Sequence, residues 1–564
     1  MQRKSAYQVK EVKLKEREYN LADEKWICLL SKDGTVVKAG LRETMLRANE
    51  FLDLGGEMRL QDVAIMRLLT ALSVTILYRY DENGNRSELE NAAQAEERFK
   101  KIWKSGKYCE KAVNSYFEEW HDRFYLFDKE HPFFQIPEKA VEWKVRKGVL
   151  HPYFPNGVYM NYFPMGAVNG LVLISGNKPH PVFSTLSREQ MDTAEYDEAA
   201  RWMIFYNAFA DCTAGKQQHC KGKSMNAGQT LPSRWALLTP VGDENLFQTI
   251  MLGSMLFDVG GRRLYETCSP VWEEKEAETG KVERNMPDDL PRAYTQQARR
   301  MMLKRENGLV KGMFVSAGES YKKEDLIKEP CFILKKAKRT FLKLNKDLDI
   351  WEEVQYITGT GDDGSQQKGG AKICDWINML QNDEDLLLDH TLIRFRVSDI
   401  DYVKSDCGYK WIREDQIVLN RNFLQGSEKT EAIKAEIKNI HACDKILQNF
   451  EDDCRKCRGW EPVKRSKNEK WTLDKLYHQE IGVKVREYLA GSLDLEDLRE
   501  AEYEAACKTA RRHIKEYETA MLRGKSGDKG MTLGEAEARF WKKMNSKKKF
   551  LKKANSSQKK GAGR

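Results

Sequence analysis

Ile400-Asp401-Tyr402-Val403-Lys404 and Tyr409-Lys410-Trp411-Ile412-Arg413 flank Ser405-Asp406-Cys407-Gly408. β-Branched and aromatic residues alternate with polar ones on both sides of a short polar turn, which predicts two short strands joined as a hairpin. This stretch separates two textures. Downstream, from about Ser427, Ile433, Ile437, Ile440, Leu447 and Phe450 mark one apolar stripe at helical spacing. Further helical stretches run over about Leu473 to Leu489, Leu498 to Leu522 and Leu533 to Leu551, with Gly482, Gly491, Gly524 and Gly530 near their ends. Four helices with short links predict an antiparallel four-helix bundle.

Upstream the pattern is mixed. Trp26-Ile27-Cys28-Leu29-Leu30, Lys32-Asp33-Gly34-Thr35 and Val36-Val37 read as strand, turn and strand, with Asp-Gly in the turn. Helical spacing follows over Leu60 to Tyr80 and, with more charge, over Asn91 to Trp120. From Phe124 to about Phe183 aromatics and prolines predict loops and short strands over a core. Helices return at Ala199 to Ala210 and Leu246 to Phe257, separated by a loop with Gly215, Lys216, His219, Lys221, Gly222 and Lys223. Strand-like runs at Met313-Phe314-Val315 and Cys331-Phe332-Ile333-Leu334 complete an α+β reading. The predicted organisation is a mixed α/β domain over residues 1–425, the bundle over 426–540 with its last helix reaching about 555, and a basic tail over 541–564. No internal repeat is evident.

The chain has 564 residues, 41% of them hydrophobic, enough for a substantial core. Charged Lys10, Glu11, Lys13 and Lys15 near Met1 do not form a signal peptide. The longest largely apolar run, Leu68 to Tyr78, falls short of the roughly 20 residues a spanning helix needs. These features predict a cytoplasmic protein with no membrane partner and with free thiols among its 12 cysteines. The formal charge of +9 is localised: the last 24 residues carry ten Lys/Arg and no acid, while Met1 through Phe540 holds 85 basic against 86 acidic residues. Such a terminus is predicted to be a mobile polyelectrolyte arm. A second basic strip, Leu334 to Lys343, has five cations and no acid, interleaved with Phe341 and Leu342. It suits phosphate contacts, and equally a solvated face.

Motifs for catalysis and cofactors are weak. Gly359-Thr360-Gly361-Asp362-Asp363-Gly364 has dinucleotide-binding spacing after a strand-like Val354-Gln355-Tyr356-Ile357, yet its two aspartates would repel a phosphate. Gly222-Lys223-Ser224 resembles the end of a phosphate loop, but Gly215 stands seven positions before Gly222 where five are required. His441, Cys443, Cys454 and Cys457 are four candidate zinc ligands, set in a helical stretch whose apolar stripe favours packing thiols. The reading is no catalytic residue, no cofactor and no assigned metal.

Several segments together resemble the CasA-type large subunit (Cse family) of the type I-E CRISPR Cascade complex. Tyr19-Asn20-Leu21-Ala22-Asp23-Glu24-Lys25-Trp26-Ile27 is similar to the family's opening strand. Phe124-Tyr125-Leu126-Phe127 followed by His131-Pro132-Phe133-Phe134-Gln135 is similar to its most recognisable segment, and the hairpin with Glu414-Asp415-Gln416-Ile417-Val418-Leu419-Asn420 to its hairpin and following strand. The resemblance implies a non-enzymatic subunit that reads a protospacer-adjacent motif in double-stranded DNA and helps open the duplex for guide RNA. It implies partnership with other Cascade subunits and with a helicase-nuclease or alternative effector. The alternatives are a nucleotide-binding enzyme using Gly359 to Gly364, and a basic scaffold of another ribonucleoprotein.

The resemblance also implies a DNA-binding set. The hairpin wedge falls on Ser405 and Asp406, within Lys404, Ser405, Asp406, Cys407 and Gly408. An aspartate at a phosphate-lined fork is electrostatically awkward, so Lys404, Tyr409 or Lys410 is the alternative wedge. The minor-groove glycine loop falls on Ala214, Gly215 and Lys216. The lysine finger, expected just before a strand, falls on Lys311, with Lys322 and Lys323 as fallback. A further DNA-contacting loop falls on Gly176, Asn177, Lys178 and Phe183.

Overall fold

A computed structural model describes residues 16–146, 148–168, 192–209, 216–220, 223–226, 232, 235–275, 279–335, 340–345, 348–357, 370–382, 392–402, 409–424, 428–459, 472–521 and 531–561. Its central helix, α1 (Arg59–Arg79), buries Leu60, Val63, Ile65, Leu69, Leu72, Val74 and Ile76 around nearly its whole circumference. A helix apolar on all sides must be enclosed, and the helices Tyr196–Phe209, Leu246–Gly253 and Leu290–Tyr294 pack against it. At 21 residues it is long and apolar enough to cross a membrane, yet it lies inside the protein. The charges that interrupt its apolar run are neutralised in place. Arg67 donates twice to Glu329, both at 3.0 Å, and Arg79 Nη2 lies 2.6 Å from Glu273.

The aromatic segment is a knot in the core. Phe124, Phe133 and Trp272 form a ring triangle with centroids 5.5–5.6 Å apart. Gln135 closes it from both ends of its amide: Nε2 donates to Leu126 O at 2.6 Å, and Oε1 accepts from Leu303 N at 2.8 Å. A buried amide satisfied at both ends ties two distant segments together.

Two three-stranded antiparallel sheets organise the middle of the chain. One orders β1 (Leu237–Val241), β4 (Leu392–Tyr402) and β5 (Tyr409–Asn420), with β4 central. The other places β3 (Leu309–Ala317) between β2 (Arg299–Glu306) and Asn161–Pro164. Asn307 and Gly308, with φ of 51° and 79°, make the tight turn from β2 to β3.

Four long helices follow: α2 (Glu428–Cys457), α3 (Thr472–Ala490), α4 (Leu495–Met521) and α5 (Leu533–Gly561). The expected stripe of Ile433, Ile437, Ile440, Leu447 and Phe450 is buried. It meets Leu473, Tyr477, Ile481, Val485 and Leu489 of α3, Leu498, Ala506 and Ala510 of α4, and Ala536, Phe540 and Met544 of α5 in one continuous core.

Several expectations need correction. The helical stretch from Asn91 to Trp120 is two helices, Ala92–Ser105 and Glu110–Glu119, broken where Gly106 takes φ of 70°. The helix from Leu246 stops at Gly253, and Phe257 begins a short strand. The loop between the two mid-chain helices contains a hairpin, Lys216–Cys220 paired with Lys223–Asn226. Val354–Ile357 is one helical turn, not a strand, because it continues the 3-10 turn Ile350–Glu353 capped by Asp349. Gly482 lies inside α3, where a Cβ would meet Trp351 Nε1 at 2.9 Å. The basic terminus is not a detached arm: α5 runs to Gly561, Met544 is buried, and Lys547 reaches Glu502 at 2.8 Å. Lys547 packs here because its partners, Glu502 and Asn439, stand on other helices.

Candidate nucleic-acid interface

The hairpin that opened the sequence reading is longer than its first outline. β4 and β5 pair from Leu392↔Asn420 to Tyr402↔Tyr409, with a register shift between Asp401 and Tyr402. Its apolar face, with Ile393, Phe395, Val397, Ile417 and Leu419 buried, is why the strands hold this register.

Polar contacts anchor the hairpin to separate parts of the molecule. Arg396 Nη2 lies 2.6 Å from Asp53 on the strand Phe51–Leu54, and its Nε 3.4 Å from Glu414. Asp399 accepts Leu344 N at 2.7 Å and Ile400 N at 2.8 Å. Burial pushes the Asp399 carboxyl up to about 6, while Lys343 and those two donors pull it down. Lys343 Nζ donates to Ile400 O at 3.0 Å, Arg413 donates to Asn345 O, and Arg486 of α3 donates to both oxygens of Asp415 at 3.1 and 3.2 Å. None of these anchors is evident in the sequence, where the partners stand up to hundreds of positions apart.

The hairpin turn, with Lys404, Ser405, Asp406, Cys407 and Gly408, lies outside the described residues. So do Ala214, Gly215, Gly176, Asn177, Lys178 and Phe183, and the motif Gly359 to Gly364. Lys216 opens the first strand of the Lys216–Cys220 hairpin and pairs with Asn226. Lys311 is half-buried and is the third residue of β3, inside the strand and not before it. Its carbonyl accepts Tyr162 OH at 3.0 Å, and Lys304 Nζ lies 5.5 Å from the Tyr162 ring centroid. The next residue, Gly312, is held against Phe163, whose carbonyl a Cβ would meet at 2.3 Å, so the backbone at Lys311 is closely confined. Lys322 is exposed at the start of the 3-10 turn Lys323–Lys328, directly after the strand Glu319–Tyr321.

The basic strip divides in two. Leu334, Phe341 and Leu342 are core residues, Leu334 pairs with Phe341, and Lys343 is the hairpin anchor just described. The strip is therefore not a uniformly solvated face.

The candidate zinc set does not converge. Cys443, Cys454 and Cys457 lie along one helix, and 11 residues of helix separate the first two by about 16 Å. Cys443 Sγ lies 3.2 Å from Glu502 Oε1, and Cys457 Sγ contacts Asp453 O. Burial pushes the Cys454 thiol up to about 12 and Cys443 higher still, so neither is a ready thiolate.

The family model for CRISPR-associated protein Cse1 matches residues 20–547. A CasA/Cse1 protein of Thermus thermophilus is 27% identical over 265 residues, a stretch that is 47% of this chain and 44% of that relative's length. The crystal structure of Thermobifida fusca Cse1 superposes with a TM-score of 0.74 at 19% identity, over 95% of this chain and 98% of that one. A chain of a structure described as a CRISPR RNA-guided surveillance complex superposes with a TM-score of 0.60 at 14% identity, over 88% and 99%. These structural likenesses are of fold.

Proposed function

The chain belongs to the CRISPR-associated protein Cse1 family, and from that membership we propose that it is the large subunit of a type I-E Cascade-like, RNA-guided surveillance complex. In this reading it is a cytoplasmic, non-enzymatic subunit that binds other Cascade subunits, the guide RNA and double-stranded target DNA. It recognises the protospacer-adjacent motif, helps open the duplex for R-loop formation, and presents a surface to a helicase-nuclease or other effector. Base pairing with the guide then reads the target, and the protein reads only the short motif.

The observation that carries this reading is the anchored β4–β5 hairpin. A strand pair used to part a duplex must resist the force of re-annealing at its tip. Arg396–Asp53, Lys343–Ile400 and Arg486–Asp415 brace this one from three directions. Ser405 and Asp406 at its turn, with Lys404, Cys407 and Gly408, supply the wedge. Lys311 on β3 contacts DNA beside the motif, together with the glycine loop at Ala214, Gly215 and Lys216 and the loop carrying Gly176, Asn177, Lys178 and Phe183. The two-domain division at about residue 425 and an antiparallel four-helix bundle formed by α2 to α5 belong to the same reading.

The rival nucleotide-binding reading has less support, since Val354–Ile357 is helical and the motif at Gly359 thus lacks its leading strand. Two substitutions test the leading one in the assembled complex. Lys311→Ala should weaken binding to targets bearing the correct flanking motif more than to unrelated duplex; equal losses on both refute its role. Ser405→Ala with Asp406→Ala should slow strand opening on a linear duplex more than on a pre-melted bubble, and equal slowing on both ends the wedge assignment.

A further inference from the structure

Three side chains far apart in sequence meet where the 3-10 turn Ile350–Glu353 abuts α2 and α3. His478 Nδ1 lies 3.6 Å from Glu352 Oε1, and His441 Nε2 lies 3.7 Å from Glu352 Oε2. One donor atom from each of Glu352, His441 and His478 lies within 4.8 Å of the other two. On the opposite side of both rings stands a single carboxylate, Asp444. It receives His478 Nε2 at 2.8 and 2.9 Å and His441 Nδ1 at 3.2 Å.

This arrangement sorts the ring nitrogens. Asp444 takes an N–H from each imidazole, and, against its burial, hydrogen bonds to Asp444 and Glu352 hold His478 above its ordinary value, up to about 9. In the metal-free protein a proton therefore stands between His478 Nδ1 and Glu352, and a divalent ion at the same place would displace it and take the lone pairs of His441 Nε2 and His478 Nδ1. We propose that Glu352, His441 and His478 form a binding site for a divalent, zinc-class metal ion, with Asp444 orienting both imidazoles from behind. The donor set of two imidazoles and a carboxylate suits zinc, and a carboxylate behind each histidine is the common supporting arrangement. Donors of a tetrahedral zinc site stand about 3.4 Å apart, from bonds of about 2.0–2.1 Å. The observed separations of 3.6 and 3.7 Å, to the two different oxygens of Glu352, are close to that, and with one donor atom per residue all three lie within 4.8 Å, so the side chains would draw in on the ion. Glu352 and His478 are buried, whereas the His441 side chain is 42% exposed, which supplies an entry path and room for a solvent ligand at the fourth position. The ion would cross-brace three elements: Glu352 on the turn, His441 on α2 and His478 on α3. Cys443, Cys454 and Cys457 take no part.

The test uses the full chain, stripped with a chelator and titrated with cobalt(II) as a spectroscopic stand-in and with zinc(II) by calorimetry. One equivalent is expected to bind, with cobalt ligand-field absorption lacking thiolate charge transfer, and with a rise in Tm on zinc addition. His441→Ala, at a half-exposed position that does not endanger folding, should weaken binding at least tenfold and abolish the Tm rise. Cys454→Ser with Cys457→Ser should leave both unchanged. Absence of stoichiometric binding overturns the site, as does affinity that follows the cysteines or is untouched by His441→Ala. So does nitrogen NMR showing both imidazoles doubly protonated and unchanged by zinc, which would make protons the only cations here.

Discussion

Lys547 Nζ lies 2.8 Å from Glu502 Oε1, with 9% of the lysine side chain and none of the glutamate exposed. This contact reverses the expectation for the basic terminus. The same ammonium donates to Asn439 O at 2.5 Å, and Lys548 Nζ sits 4.7 Å from the Tyr503 ring centroid. Removing Lys547 leaves Asn439 O and the Glu502 carboxyl without their buried donor, at a cost of about 1–3 kcal/mol. Lys547→Ala should therefore lower the urea midpoint, while Lys549→Ala, at an exposed position of the same helix, should stay within about 0.5 kcal/mol of the parent. Equal stability of the two variants would show that the contact does not hold α5 in place.

Deleting residues 550–564 removes five cations, Lys552, Lys553, Lys559, Lys560 and Arg564. It should lower nonspecific duplex affinity and flatten the salt slope by up to about 4.5, at roughly 0.9 per phosphate contact. Motif preference should persist. An unchanged slope in a salt titration would count against phosphate contacts by this segment.

Glu502 sets a pH dependence whose sign follows from its surroundings. Burial and the neighbouring Glu436 carboxyl push its carboxyl up to about 8, although Lys547 pulls the other way. The folded state then binds more protons than the unfolded state between about pH 4.5 and 8. The contribution of this group is full below that window and is lost as the pH rises through it. Glu502→Gln should flatten the fall in stability between pH 5 and 8 measured by urea unfolding; a parallel curve would contradict the assignment.

Gly482 illustrates what the sequence shows and what it hides. In an exposed helix Gly→Ala gains about 1 kcal/mol. Here a Cβ would meet Trp351 Nε1 at 2.9 Å, and that indole also lies against His478 with ring centroids 5.4 Å apart. Gly482→Ala should destabilise by about 1–3 kcal/mol through overpacking, read as a fall in Tm. A rise would show that the indole gives way at no cost.

The same residue explains the limits of the sequence reading. Periodicity makes α1, the α2 stripe and the hairpin strands legible because their partners lie a few positions away. A glycine in a helical run reads as a helix end, since Trp351 stands more than a hundred positions earlier. The lysines after Trp541 read as unpackable because Glu502 and Asn439 are on other helices. Glu352, His441, Asp444 and His478 match no spaced motif, as the fold alone brings them together. Lys311 was legible as a lysine near a strand, but its place inside β3 depends on the Asn307-Gly308 turn.

Affinity purification of the chain together with its neighbouring subunits, followed by sequencing of any bound RNA, tests the central claim most directly. The account predicts a stoichiometric ribonucleoprotein carrying short RNAs that share constant ends around variable guide sequences, and retention of duplex DNA only when a matching target adjoins the motif. A chain that elutes alone, or with RNA of no common architecture, would contradict it.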